Sequence, residues 1–307
     1  MDPDLRLAPE GNVFDEYLAF VEERHRIWEL RSMGLPAPWT RSPILATKKF
    51  TNDFRVLDPG SQYVLRMVQD ADTPEDVVLR AFLYRLTNTP DVWVSYFGGE
   101  DGRWPILRDV ESGLLEDFLL RYRGPMFSSA YMISPGIANK GMTRPEWLAM
   151  TVREAFTPGG AHALHPTVFK VGAVASARVN YLCGVPRIAG FLALQIATDI
   201  GYSDLVPGDE DEFVVVGPGS RRGLQALGLP TTSSAIRTLH AEIRSRVTLD
   251  VNGTPRPLSL MDVQNTLCEF GKYHGLLTDR GNRARRFTPA PFLSSTHTDP
   301  IYPNHWS

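Results

Sequence analysis

Two apolar stretches within residues 169–199 are interrupted by Leu182-Cys183-Gly184-Val185-Pro186-Arg187-Ile188-Ala189-Gly190. Two glycines and a proline so close together end one regular element and admit another, so the segment is expected to fold as helix, tight turn, helix. Helical signals run through the rest of the chain. In residues 13–33, Phe14, Tyr17, Leu18, Val21, Ile27, Trp28 and Leu30 recur at spacings of three and four, and Gly34, Pro36 and Pro38 end the run. A helix over 73–89 starts on Thr73-Pro74 with Glu75 and Asp76 in its first turn, and one over 143–156 starts on Thr143 with Pro145 and Glu146. Further helices are expected over 108–123, 233–250 and 259–272, the last opening on Ser259 and Asp262. The stretch VWVSYF has the look of a strand or a helix end. The expected fold class is mainly α, with few short strands. It forms one helical unit over residues 1–288, of one lobe or two, followed by an extended or disordered, proline-containing tail over 289–307.

Composition narrows the function. The 307 residues are 43% hydrophobic and 22% charged, an ordinary globular balance. There is no apolar run of about 18 residues to span a membrane, and the acidic start MDPDLRLAPEGNVFDEY lacks a signal-peptide core, so secretion is not expected. Cys183 and Cys268 sit in no metal-ligand spacing and are expected to be buried free thiols. A net charge of −3 excludes DNA binding by bulk positive charge. Three local basic clusters remain: Arg24-His25-Arg26, Arg221-Arg222, and the arginines of 280–286. The phosphate-loop patterns GxxxxGKS and GxxxxGKT are absent, which counts against an ATP-dependent kinase.

Three other segments can carry chemistry. The run Asp209-Glu210-Asp211-Glu212 precedes Gly217-Pro218-Gly219-Ser220-Arg221-Arg222-Gly223, which is expected to be a glycine-rich turn. Asp209, Asp211 or Glu212 could act as a general base or stabilise a cation. The backbone at Gly217 and Gly219, with Arg221 and Arg222, could hold a pyrophosphate. The plainer alternative is a solvated acidic loop followed by a turn with surface ion pairs. Glu269, Lys272 and Tyr273 share one helical face, as either a site or a surface Glu–Lys pair. Finally, Arg26, Trp28, Arg31, Trp39, Phe50, Thr51, Asn52, Arg55 and Asp58 offer aromatic rings to stack an extruded base and an amide to read its edge. Core aromatics with a buried Arg–Asp pair are the alternative.

The turn at 184–190 resembles the helix-hairpin-helix of DNA glycosylases, whose exposed N–H groups hold one DNA phosphate, here around Gly184 and Arg187. The second hairpin glycine is replaced by Pro186, which has no N–H. The lysine of Schiff-base-forming glycosylases is replaced by Arg187 or Ile188, so lyase chemistry is not expected. The order PWT, F-T-N-x-x-R-x-x-D, G-x-P-x-I-A-G-F, A-T-D, D-E-x-E-F, GPG-x-R-R-G and LCEF-x-K-Y, over about residues 20–286, resembles the phage α-glutamyl/putrescinyl thymine pyrophosphorylase family. It is similar also to the helical domain fused to 5-hydroxymethyluracil DNA kinases. The resemblance implies a glycosylase-like helical fold that flips a base out of double-stranded DNA. A kinase first makes 5-(pyrophosphoryloxymethyl)uracil in the DNA. The family then replaces the pyrophosphate with an amine, glycine first, then another amino acid or a polyamine such as putrescine. That chemistry makes Asp209, Asp211, Glu212, Arg221 and Arg222 the expected catalytic candidates. Trp39, Asn52, Arg55, Gly184, Arg187, Gly217, Gly219, Glu269, Lys272 and Tyr273 bind substrate or DNA. The implied partners are modified DNA, the free amine and a 5-hydroxymethyluracil DNA kinase, in the cytoplasm of an infected bacterium and without a membrane. No cofactor is specified, and assistance from Mg²⁺ stays open. A glycosylase acting on a modified thymine and a non-catalytic DNA-binding partner of the kinase are the alternatives.

Overall fold

The computed structural model describes residues 13–98, 102–128, 141–278, 285–287 and 300–306. In chain order its helices are α1 (Val13–Ser32), α2 (Pro43–Thr47), α3 (Pro59–Gln69), α4 (Pro74–Thr87), α5 (Pro90–Phe97), α6 (Leu107–Glu111) and α7 (Leu114–Arg121). There follow α8 (Arg144–Phe156), α9 (Ala175–Leu182), α10 (Gly190–Ile200), α11 (Pro218–Ala226) and α12 (Ser233–Arg244). The strands β1 (Leu249–Val251) and β2 (Thr254–Arg256) precede the last helix, α13 (Leu260–Leu277). The fold is mainly α, as the periodicity predicts. Among the described residues, no helix is long and apolar enough to cross a membrane.

Local chemistry sets the helix starts. Thr73 accepts the Asp76 N–H ahead of Pro74, and α4 ends on Asn88 in the left-handed conformation, φ 46°. Reciprocal capping boxes open α8 (Thr143 with Glu146) and α13 (Ser259 with Asp262). Several expectations are corrected. VWVSYF is not a strand; it is helical and forms most of α5 up to its end, after the opening at Pro90. The helix expected over 108–123 breaks into α6 and α7 at Gly113, whose φ of 80° a helix interior does not allow. The helix expected over 233–250 stops at Arg244, because Asn252-Gly253, both at positive φ, fold 249–256 into a two-residue hairpin. The segment 59–69, to which the sequence reading assigns no element, is α3. Cys183 is exposed.

The chain divides into two compact units, Met1–Asp58 with Phe213–Pro300, and Pro59–Glu212 with Ile301–Ser307. In the first, α13 is the axis. Phe270 packs against Tyr17 and Phe20 of α1 at ring-centroid distances of 5.1 and 5.9 Å, and the Tyr17 hydroxyl meets Thr266 Oγ1 at 2.6 Å. On another side α11 lies so close that a methyl group on Gly223 would fall 2.2 Å from the Leu267 carbonyl oxygen, and one on Gly219 2.7 Å from Cys268 Sγ. Gly217-Pro218-Gly219 is therefore not a glycine-rich turn. It is the start of a helix, and Gly219 and Gly223 let two backbones touch.

In the second unit nearly every residue of α4 is buried. Its Arg80 donates to the carbonyls of Met67 and Pro105, and its Arg85 donates to both oxygens of Asp199 on α10. Within the stretch expected to be extended or disordered, Ile301 exchanges hydrogen bonds with Gln62 of α3, and Trp306 is buried and stacked on Tyr302. Residues 288–299 lie outside the described part of the chain.

Candidate functional site

In the first unit a polar cluster is built around the loop 49–58. Arg24, buried on α1, donates from Nε to the Thr51 carbonyl (2.9 Å) and from Nη2 to the Phe50 carbonyl (3.2 Å) and Asn52 Oδ1 (2.7 Å). From the other side α13 grips the same loop. Glu269 Oε2 accepts the Thr51 N–H, Asn265 donates to the Asn52 carbonyl, and Asp262 Oδ1 accepts the Arg55 N–H at 2.8 Å. Lys272 pairs with Glu269, donates to the Lys49 carbonyl at 2.8 Å, and lies 4.5 Å from the Phe50 ring centroid. Asn52 N–H donates to Asp58 Oδ1 at 2.7 Å.

The cluster is not fully satisfied. Arg24 Nη1, Thr51 Oγ1 and Asp53 Oδ2 are buried with no hydrogen-bond partner among the described residues. Such atoms are rare because each forfeits its hydration without replacement, and they concentrate at functional sites. Burial raises the Asp53 carboxyl well above the usual carboxylate range; Arg24 pulls it down, while Asp262 and Asp58 push it further up. Burial also raises Asp58, to about 7, against the lowering effects of the Asn52 N–H and Arg24. A carboxyl group that titrates near neutrality can both take and give a proton at physiological pH.

Both acids hold their proton more tightly folded than unfolded. Between about pH 4 and about pH 7 the folded chain therefore binds more protons, and stability falls as pH rises through that window. In Asp58→Asn the amide oxygen can still accept the Asn52 N–H while the charge is gone. The expected result is a shallower decline and a stability gain of about 1 kcal/mol at pH 7.5. Thermal unfolding from pH 4.5 to 8 measures it, and an unchanged pH profile in the variant counts against the site.

The sequence-derived site residues fall as follows. Glu269, Lys272 and Tyr273 lie together on α13, and Tyr273 packs on Phe20 and Phe50 at 4.9 and 6.2 Å. Asn52 commits both ends of its amide, to Arg24 and to the Leu57 carbonyl, and Arg55 is buried. Trp39 is buried, with Nε1 donating to the Leu35 carbonyl and the Arg31 guanidinium 5.2 Å from its ring centroid. Arg221 and Arg222 are exposed on α11, in the same unit as the cluster; Arg221 reaches Thr231 Oγ1 at 3.4 Å. Asp209, Asp211 and Glu212 belong to the other unit. Asp209 accepts the Asp211 N–H, and Glu212 accepts the Ala175 N–H with both oxygens (3.0 and 2.9 Å), so it closes the start of α9.

The hairpin between α9 and α10 forms where expected, with Arg187 at φ 72°. The Gly184 N–H already donates to the Tyr181 carbonyl and the Val185 N–H to that of Leu182, and α10 opens without a side-chain cap at Ala189. The residues that sequence reasoning passed over are Arg24 as an anchor and Asp53 altogether. Their signal was present: Asp53 and Asp58 are carboxylates in a segment where Phe54, Val56 and Leu57 are all apolar.

Fold and site together define a mainly helical protein of two units, one holding a buried, incompletely paired group of charged side chains. The chain belongs to the family described as 5-hmdU DNA kinase, helical domain, whose model matches residues 11–280. A 5-hmdU DNA kinase of Bacillus phage SP10 is 25% identical over 244 residues, covering 72% of this chain and 37% of that relative, so the chain spans little more than a third of that protein's length. No solved structure matches.

Proposed function

We propose that this chain takes part in thymine hypermodification of phage DNA and replaces the pyrophosphate of 5-(pyrophosphoryloxymethyl)uracil with an amine. The carrying observation is the polar cluster of Thr51, Asp53 and Asp58 in the F-T-N-x-x-R-x-x-D loop, held by Arg24 of α1 and clasped by the helix bearing LCEF-x-K-Y. The kinship with the helical domain of a phage DNA kinase supports DNA with a modified uracil as the substrate and the kinase as the supplier of the activated base. The absence of a phosphate-binding loop in the sequence supports a reaction downstream of ATP use.

In the reaction the bond from the exocyclic methylene carbon to oxygen breaks and pyrophosphate leaves with the electron pair. A carbon–nitrogen bond forms, and the incoming amine gives up a proton. Arg221 and Arg222 are suited to the charge on the departing pyrophosphate. For the proton, Asp209, Asp211 and Glu212 compete with Asp58, and titration near neutrality favours Asp58. The base would be flipped from the duplex, with the hairpin before α10 against the backbone.

The test is to incubate the protein with DNA carrying the pyrophosphorylated base and single amines (glycine, other amino acids, putrescine), then identify the nucleosides by mass and measure pyrophosphate. Release of one pyrophosphate per aminated base is expected. Asp58→Asn and Arg222→Ala should each slow product formation by about tenfold to a thousandfold, and Asp211→Asn should do so only if the acidic run holds the base. Abasic sites would assign a glycosylase. Unchanged DNA that is nevertheless bound would assign the partner role that the 37% coverage also suits.

A further inference from the structure

Residues 47–49 and 285–287 lie side by side as a short antiparallel ribbon in the first unit. Lys48 and Arg286 form a bridge, the Lys49 N–H donates to the Arg285 carbonyl at 2.9 Å, and the Phe287 N–H donates to the Thr47 carbonyl at 2.8 Å. This register sets Lys48 opposite Arg286 and Lys49 opposite Arg285. Residues directly opposite share a face of such a ribbon, and successive residues alternate faces. Each face therefore carries a pair of like charges.

Such pairs destabilise a ribbon unless an anion lies between them. Among the described residues none of the four makes an ion pair with a carboxylate; Lys49, Arg285 and Arg286 are exposed and Lys48 half-buried. The ribbon is nevertheless anchored. The Arg31 guanidinium lies 5.4 Å from the Phe287 ring centroid and 5.2 Å from that of Trp39, and Lys272 holds the Lys49 carbonyl. Four cations on a fixed backbone, in a chain of net charge −3, mark a local surface for a polyanion. Duplex DNA offers phosphates on both sides of a groove that admits a two-stranded ribbon.

We propose that this ribbon contacts the phosphate backbone of duplex DNA, with Lys48 and Arg286 meeting one strand and Lys49 and Arg285 the other. The proposal rests on the reading that the chain acts on DNA, and it puts the DNA contact next to the loop 49–58.

The experiment is fluorescence anisotropy of a labelled, unmodified DNA duplex with the full chain between about 50 and 200 mM salt. Each lost phosphate contact lowers the slope of log affinity against log salt by about 0.9. Lys48→Ala with Arg286→Ala, and Lys49→Ala with Arg285→Ala, are each expected to reduce the slope by about 2, and the fourfold variant by about 3 to 4. Unfolding temperatures should stay level or rise, because like-charge pairs are removed. If an alanine variant does not fold, the glutamine versions, which keep most of each stem, are judged by the same slopes. Slopes within about 0.5 of wild type in both double variants overturn the proposal, as does a slope loss on double-stranded RNA with none on DNA. If those variants keep the wild-type slope while the wild type still converts modified DNA, only the ribbon assignment falls. If the wild type neither binds duplex at low salt nor forms product, the DNA reading falls with it.

Discussion

Replacing Arg85 by Met is expected to destabilise the chain by about 3–5 kcal/mol. Asp199 is fully buried, and both its oxygens accept from Arg85, Oδ2 from Nε at 2.7 Å and Oδ1 from Nη2 at 2.8 Å. The two-point geometry is what keeps an ionised carboxylate tolerable at that depth. Without the guanidinium, the buried Asp199 carboxylate loses two charge-assisted hydrogen bonds and the opposite charge beside it, which is unfavourable at that depth. Adding Asp199→Leu should restore most of the loss, because a buried ion pair replaced by apolar groups of similar size is often close to neutral. Urea denaturation followed by circular dichroism measures all three variants. A single-variant loss below about 1 kcal/mol, or no recovery in the double variant, contradicts this account. The pair ties α10 to α4, so it also fixes the helix that follows the hairpin.

The second large effect is expected at Gly223→Val. Even the first carbon of the new side chain would lie 2.2 Å from the Leu267 carbonyl oxygen and 2.8 Å from its carbon, and both are backbone atoms of α13 that no rotamer change can move aside. The crowding is mutual, because a methyl group on Gly271 would lie 2.6 Å from the Gly223 nitrogen. Helix α11 must therefore lift off α13, at a cost of about 3 kcal/mol or more. Exposed Gln225→Ala on the same helix should stay within about 0.5 kcal/mol of the parent chain. Thermal unfolding of the two variants side by side decides the matter; equal unfolding temperatures would show that the glycines are not there for close approach. Because α11 carries Arg221 and Arg222, the valine variant should also displace those arginines relative to α13.

These two sites show how far the sequence could be read. The caps on Thr73, Thr143 and Ser259 were legible because a cap is made by residues within one turn of each other. The hairpin at 184–190 was legible for the same reason. GPG-x-R-R-G was misread as a turn because glycine is ambiguous in isolation: it marks a chain reversal or a close helix contact, and only the presence of α13 distinguishes them. Asn252-Gly253 is a local turn signal that the sequence reading did not use.

For the candidate site, motif order pointed to Asn52, Arg55, Glu269 and Lys272, which the fold brings to one loop and one helix. It did not reveal that Arg24 is the clasp or that Asp53 is buried with an oxygen left unpaired among the described residues. The sequence alone determined the helical class, several helix starts and the family, because each rests on local periodicity, capping and residue order. The tertiary structure alone decided which charges are buried together and which glycines touch a backbone. Burial, desolvation and close approach depend on residues more than 200 positions apart, such as Thr51 and Glu269, and no local pattern encodes that distance.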